Sequence, residues 1–364
     1  MDVAVIGAGL AGLHTAHLLA ERGVKVLLID RKESLAAPVH TTGIFVRKTW
    51  EDFDLPDEQL GAPIRDVFLY SPALRKVHLT ASRDEFRIGR MQWIYAAMLD
   101  RCARAGVRWI PAARFESFEG DRVIVTRRGR RETHRARFIV GADGSRSRVA
   151  QLLGLDRNTE FLVGLEDIIA SSEPPALHCF IDPRLAPGYI AWIAFDGQSA
   201  HAGVAGYRDR FNPAAALAEF RSRHFASGRA IERRGGLIPV NGVLRRIACD
   251  RGLLVGDAAG AVSPLTAGGL DGAMRLSALA ADVIIHNDLR RYDGAQFQTR
   301  FIARRWMRFA MDVMPPAAIE LAFAFIAPLA RHVFFNRGSF PDVTRYSAGP
   351  FVRQPRRLNS SASP

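Results

Sequence analysis

The chain has 364 residues, 48% hydrophobic and 24% charged, enough to bury a large core in two lobes and too apolar for wholesale disorder. Its formal net charge is +13, and Lys25, Lys32, Lys48 and Lys76 are the only lysines, so the excess is arginine, densest at 127–137 and after 290. That excess reflects an arginine-for-lysine composition bias, attraction to anionic lipid headgroups, or a phosphorylated substrate; without a recognition motif it does not point to nucleic acid.

Residues 2–6 read as a buried strand, 10–22 as a helix closed by Gly23, and 24–30 as a second buried strand, a complete βαβ opening. No leader is visible, because the first apolar run follows Asp2, is short and leads straight into a glycine loop. Residues 31–60 read as loop-rich, with turns at Pro38, Gly43 and Pro56. Alternation predicts strands over 66–79, the apolar spacing of 92–105 predicts an amphipathic helix ended by Gly106, and 107–110 is a strand. Runs 122–126 and 132–140 pair across the Arg128-Gly129-Arg130 turn. Four alternating runs, 161–169, 177–181, 189–195 and 201–207, suggest an antiparallel sheet with one exposed face. A helix at 213–227, a buried strand at 252–255 and a long helix at 272–285 follow. Cys102, Cys179 and Cys249 lack disulfide or metal spacing, which suits a cytoplasmic protein.

The candidate binding residues cluster around glycines. In Gly7-Ala8-Gly9-Leu10-Ala11-Gly12, Gly7 permits the turn, Gly9 lets the backbone approach a pyrophosphate, and Gly12 lets the helix pack on the strand. The helix start then offers its N–H groups to the anion. Asp30, with Arg31 beside it, ends the second strand at the spacing of a carboxylate that grips ribose hydroxyls. Asp143-Gly144 follows a buried strand, and Gly256-Asp257 does so again. A second glycine-rich loop, Ser263-Pro264-Leu265-Thr266-Ala267-Gly268-Gly269-Leu270, feeds the last long helix.

The order GxGxxG, Gly-Ala-Asp-Gly, Gly-Asp-Ala-Ala-Gly over about residues 1–310 resembles the flavoprotein hydroxylase superfamily, FAD-dependent oxidoreductases of the p-hydroxybenzoate hydroxylase type. The resemblance implies an α/β chain, α+β in its substrate lobe. Its GxGxxG Rossmann-like FAD-binding domain (1–70, 88–158 and 245–290) is interrupted by an antiparallel-sheet substrate domain (71–87 and 159–244). A basic, apolar helical tail (291–364) ends in a disordered stretch at 359–364. By the same resemblance Asp257 holds the ribityl chain, the loop of Pro264, Gly268, Gly269 and Leu270 lies along the flavin ring, Arg90 contacts the cofactor, and Asp143 organises the loop near the pyrophosphate.

Within that superfamily the chain is most similar to the geranylgeranyl reductase family. Ser263–Gly272 continuing into Ala273-Met274-Arg275 resembles the flavin loop of those enzymes, although Ala267 stands where they often have glycine. Tyr189-Ile190-Ala191-Trp192-Ile193-Ala194-Phe195 resembles their aromatic substrate motif, stretched so that Tyr189 and Phe195 share one strand face and Trp192 takes the other unless a bulge intervenes; packing within the sheet would also account for these aromatics. The cysteine these reductases commonly carry before Gly43 is absent. Thr41 and Thr42 stand there, and His40 is the candidate to supply or relay a proton. The run at 317–335 is almost continuously apolar but broken by Glu320, Pro328, Arg331 and His332, which suits an interfacial helix pair or a lid on a lipophilic channel, or helices packed on the protein, rather than a membrane span.

These features imply reduction of carbon–carbon double bonds in an isoprenoid or other lipophilic substrate. NAD(P)H or an electron-donor protein such as a ferredoxin would serve as the transient reductant. The alternatives are a flavin-dependent monooxygenase of a lipophilic or aromatic molecule and a non-catalytic FAD-binding protein at the membrane. The expected location is the cytoplasm, peripheral to the inner face of the membrane, with no metal and no nucleic acid as partner.

Overall fold

The computed structural model of the chain describes residues 1–335 except 37–38, 54, 225–227 and 324. The turn at Pro38 and the expected disordered end at 359–364 lie outside the described residues.

Two large sheets organise the molecule. In the first, Val3–Ile6 is central, with Val26–Ile29 and then Arg108–Ile110 on one side, and Phe138–Gly141 and then Gly252–Leu254 on the other. These five strands are parallel, and Ala248–Cys249 adds an antiparallel edge. Helices cover the sheet, so Val3–Ile6 and Val26–Ile29 are buried at every position, which is why they read as unbroken apolar runs. Helix Leu10–Glu21 packs against the long helix Leu270–Ile285, where Ser277 Oγ donates to the Ala11 carbonyl at 3.0 Å. The chain is thus a mixed α/β protein with a Rossmann-like dinucleotide-binding unit.

The second sheet has seven strands in the order Ala230–Pro239, Phe161–Ala170, Ser199–Tyr207, Ala191–Phe195, Ala176–Phe180, Asp66–Tyr70, Lys76–Thr80. All neighbours are antiparallel except Asp66–Tyr70 on Ala176–Phe180. One face packs on helix Pro213–His224 through Leu217 and Phe220. The other does not face solvent as the alternation suggested. Phe323 and Ala330 of the C-terminal helices pack against part of it, and the rest borders a cavity.

Other local expectations also shift. Residues 31–60, expected to be loop-rich, also hold the short strand Ile44–Val46 and the helix Arg47–Asp52. The expected strand 132–140 is two: Arg130–Arg135 pairs with Arg122–Arg127 in a three-stranded sheet, whereas Phe138–Gly141 joins the parallel sheet. Buried Ala136 marks the break, and the hairpin turns on two residues, Arg128 (φ +49°) and Gly129 (φ +76°), the left-handed pair a tight hairpin needs. Strand Ala230–Pro239 is obscured in sequence by charges at 232–234 and the glycine pair 235–236. After residue 301 the chain forms the helices Ile302–Val313, Pro316–Phe323 and Ile326–Phe335.

Candidate active site

Gly7, Gly9 and Gly12 answer to different neighbours. A Cβ on Gly7 (φ +104°) would lie 2.2 Å from the Ala142 oxygen, and one on Gly12 would lie 1.9 Å from the Gly7 oxygen, so both positions keep turn, helix and strand together. A Cβ on Gly9 would meet nothing within 4 Å. Gly9 instead opens, with Leu10, Ala11 and Gly144, into a cavity of about 930 Å³. Helix Leu10–Glu21 starts there without a side-chain cap, leaving its first N–H groups to an anion. Asp30 braces the turn: its carboxylate accepts from Ala8 N at 2.6 Å and Lys32 N at 2.7 Å. Asp30, Arg31 and Ala8 do not line the cavity, whereas Lys32 does.

Asp143 accepts from Ser147 Oγ at 2.6 Å, Arg148 N at 2.7 Å and Val149 N at 3.0 Å, which fixes the loop carrying Gly144. Burial pushes the Asp143 carboxyl up, against those bonds. Gly256 and Asp257 line the cavity. Among the described residues no donor hydrogen-bonds the Asp257 carboxylate, and burial pushes its pKa up to about 6. A half-buried carboxylate facing a cavity without a protein donor suits ligand hydroxyls.

The loop after Val262 is clamped from two sides. Tyr189 Oη donates to the Thr266 carbonyl at 2.5 Å, and Arg308 of helix Ile302–Val313 donates to the Pro264 carbonyl at 2.8 Å. Gly268, Gly269 and Leu270 line the cavity at the uncapped start of helix Leu270–Ile285, whereas Pro264 does not line it. Buried Arg275 ties that helix start to its surroundings, donating to Asp271 at 2.9 Å and Asp52 at 2.7 Å. The open space at Gly9, the two uncapped helix starts and the unpartnered Asp257 together fit FAD.

Beyond this cradle the cavity runs along the seven-stranded sheet. Gly203 makes the arrangement there: it pairs with Glu166 on one neighbouring strand and Trp192 on the other. A Cβ on Gly203 would lie 2.2 Å from the Trp192 ring, so only glycine lets the indole cross and donate from Nε1 to Glu166 Oε2 at 3.1 Å. Thr42 Oγ1 donates to the same oxygen at 2.5 Å. Buried His201 lies between Glu166 Oε1 (3.6 Å from Nδ1) and Asp196 Oδ2 (3.5 Å from Nε2), ion-pair rather than hydrogen-bond distances. Burial alone would lower the His201 pKa, but the two flanking carboxylates raise it to about 9. Burial would raise Glu166, yet His201 and the Thr42 and Trp192 donors hold it below the usual carboxylate range.

The structure brings His40, Tyr189 and Trp192 to this cavity, and His40 Nδ1 donates to the Gly235 carbonyl at 2.9 Å. Tyr189 and Trp192 both reach it, contrary to the expected opposite faces, because the strand begins at Ala191 and Tyr189 sits in the preceding turn. Phe195 points the other way, toward Phe220 and its neighbours. Arg90 is outside the cavity wall, donating to Gln198 Oε1 at 3.1 Å with its guanidinium 5.0 Å from the centre of the Trp93 ring. Cys179, distant in sequence from Thr42, lines the same cavity, opposite Trp192 in register. Glu166, His201 and Asp196 escape the sequence reading; acidic residues inside the apolar run 161–169 are the available signal.

The far end of the cavity is apolar and belongs to the C-terminal helices. Met307, Ala310, Met311 and Met314 recur at helical spacing along one face, joined by Ile319, Phe325 and Leu329. Phe325 is 79% exposed, so it marks the mouth.

A family model described as FAD dependent oxidoreductase matches residues 2–71, and one described as FAD binding domain matches 91–213. The digeranylgeranylglycerophospholipid reductase 1 of Methanopyrus kandleri is 30% identical over 325 residues, covering 84% of this chain and 85% of that protein. A geranylgeranyl bacteriochlorophyll reductase-like protein of Thermoplasma acidophilum has a similar structure, with a TM-score of 0.80 over 95% of this chain and 98% of that one at 18% identity. The p-nitrophenol 4-monooxygenase of Pseudomonas putida shares the fold at a TM-score of 0.69 over 92% and 94% of the two chains, also at 18% identity.

Proposed function

Given that the chain belongs to the digeranylgeranylglycerophospholipid reductase family of FAD-dependent oxidoreductases, we propose that it reduces carbon–carbon double bonds of an isoprenoid lipid. The observation that carries this reading is the continuity of one cavity from Gly9 and Asp257, past Gly268–Leu270, to the methionines of the C-terminal helices. A long apolar chain fits that arm, and methionine side chains adapt to irregular shapes.

The lining of the cavity supports a role for each of these residues. The helix start at Leu10 would hold the pyrophosphate, Asp257 would accept hydrogen bonds from ribityl hydroxyls, and the N–H groups at the start of Leu270–Ile285 would stabilise negative charge on the reduced ring. FAD, when bound and reduced, supplies the hydride. Trp192, Tyr189 and the helix methionines wall the apolar arm and exclude water from it. NAD(P)H or a reduced electron-donor protein meets the site only transiently.

The same reading places the mouth of the cavity against a lipid surface. Ile302, Trp306, Phe309, Val313 and Leu321 on the C-terminal helices, and Phe325 between the last two, are all more than half exposed. Exposed apolar side chains beside the exposed Arg305 suit an interfacial helix on anionic lipid. Among the described residues no helix is long and apolar enough to cross a membrane.

The test is anaerobic reoxidation. The flavin is reduced without oxygen and mixed with digeranylgeranylglycerophospholipid, and the expected outcome is reoxidation with gain of two hydrogens per double bond. Product carrying label from added dioxygen would install the monooxygenase reading instead, and no reoxidation by any prenyl lipid would overturn the reductase.

A further inference from the structure

The cofactor cradle makes no use of Glu166, His201 or Asp196, although two of them are deeply buried beside the cavity. Their contacts form a line with two ends. At the inner end Thr42 lines the cavity and its hydroxyl is bonded to Glu166. At the outer end Asp196 occupies the 196–199 turn, partly exposed, its second oxygen held by Gln198 N at 2.8 Å and Ser199 N at 2.6 Å. His201 bridges the two carboxylates. Apolar replacement of such a buried ionic cluster is often neutral or stabilising, so packing alone does not call for it.

We propose that Asp196, His201, Glu166 and Thr42 form a proton relay from solvent to the cavity, and that Thr42 protonates the substrate carbon beside the one that receives hydride. This rests on the reductase reading above. The hydride brings both electrons to one alkene carbon. The Thr42 hydroxyl turns from Glu166 to the alkene, and its O–H bond breaks as its proton bonds to the other carbon; His201 Nδ1 closes the 3.6 Å gap to Glu166 Oε1 and protonates that carboxylate, which hands a proton on to Thr42 Oγ. The neutral imidazole regains a proton from water beside Asp196, so each cycle consumes one hydride and one solvent proton.

Other charged groups around the line are committed elsewhere. Arg234, paired with Glu166 across the ladder, donates to Glu232 and to the Thr41 carbonyl. Asp167 is bound by Arg221 and Arg233, and Arg90 meets Gln198 of the turn. His40 is bonded to Gly235.

The test combines turnover with a direct titration. In the holoenzyme, Thr42→Val should slow anaerobic flavin reoxidation by prenyl lipid roughly 100-fold or more without changing lipid affinity, and Thr42→Ser should restore most of it. The wild-type rate should fall as pH rises through about 9, where His201 loses its proton, and Asp196→Asn should move that limb to lower pH. NMR of the His201 ring, which needs no turnover, should show its pKa falling in Asp196→Asn and in Glu166→Gln. A Thr42→Val enzyme as fast as a competent wild type, or a His201 that titrates unchanged in both carboxylate variants, would overturn the relay alone. A wild type that passes hydride to no prenyl lipid would overturn the reductase reading and the relay with it.

Discussion

Gly9 and Gly12 lie three residues apart in one turn, and opposite outcomes are expected for them. Gly9→Val has space for its side chain in the cavity, so it should melt near the wild-type temperature yet purify colourless. Gly12→Val meets the Gly7 carbonyl and should be too unstable to purify folded. Absorbance of the bound flavin and a thermal melt read both. Asp257 gives a pH-dependent case. Its pKa rises from 3.8 to about 6 in the folded chain, so its contribution to stability is present below 3.8 and is lost as pH rises through about 6. At pH 7 the buried charge costs the cofactor-free fold about 3 kcal/mol, taking about 1.4 kcal/mol per pH unit. Asp257→Asn should therefore raise the melting temperature of cofactor-free protein at pH 7 far more than at pH 4, while retaining less FAD.

Strands and helices set which of these residues meet. Glu166, Gly203 and Trp192 come from three adjacent strands, and their register brings the indole over the glycine to the carboxylate. Gly203→Val should displace the indole and destabilise the fold by about 1–3 kcal/mol, with Trp fluorescence reporting the change. The helix Ile302–Val313 likewise serves two surfaces, presenting Met307 and Met311 to the cavity and Trp306 and Phe309 to solvent, while Arg308 holds Pro264. Arg308→Ala should free that loop and weaken FAD retention, read as an increased rate of flavin release.

Across the whole molecule, one cavity joins the parallel sheet, the seven-stranded sheet and the C-terminal helices. The net charge of +13 adds an electrostatic pull toward anionic surfaces. Co-sedimentation should show binding to anionic vesicles that weakens with salt, little binding to neutral ones, and loss of binding in a Trp306→Ser, Phe309→Ser double variant that keeps its flavin.

The glycine turns, the parallel strands around them and the dinucleotide cradle were legible in sequence because each rests on local backbone demands: a turn, an uncapped helix start, a strand buried on both faces. The apolar C-terminal helices were legible from composition for the same reason. Tertiary structure decided what the strands from distant segments bring together. The ladder places Trp192 beside Glu166, sets Cys179 on the cavity wall, turns Phe195 away, and sinks His201 between two carboxylates, because cross-strand register and side-chain burial depend on pairings that no single segment encodes.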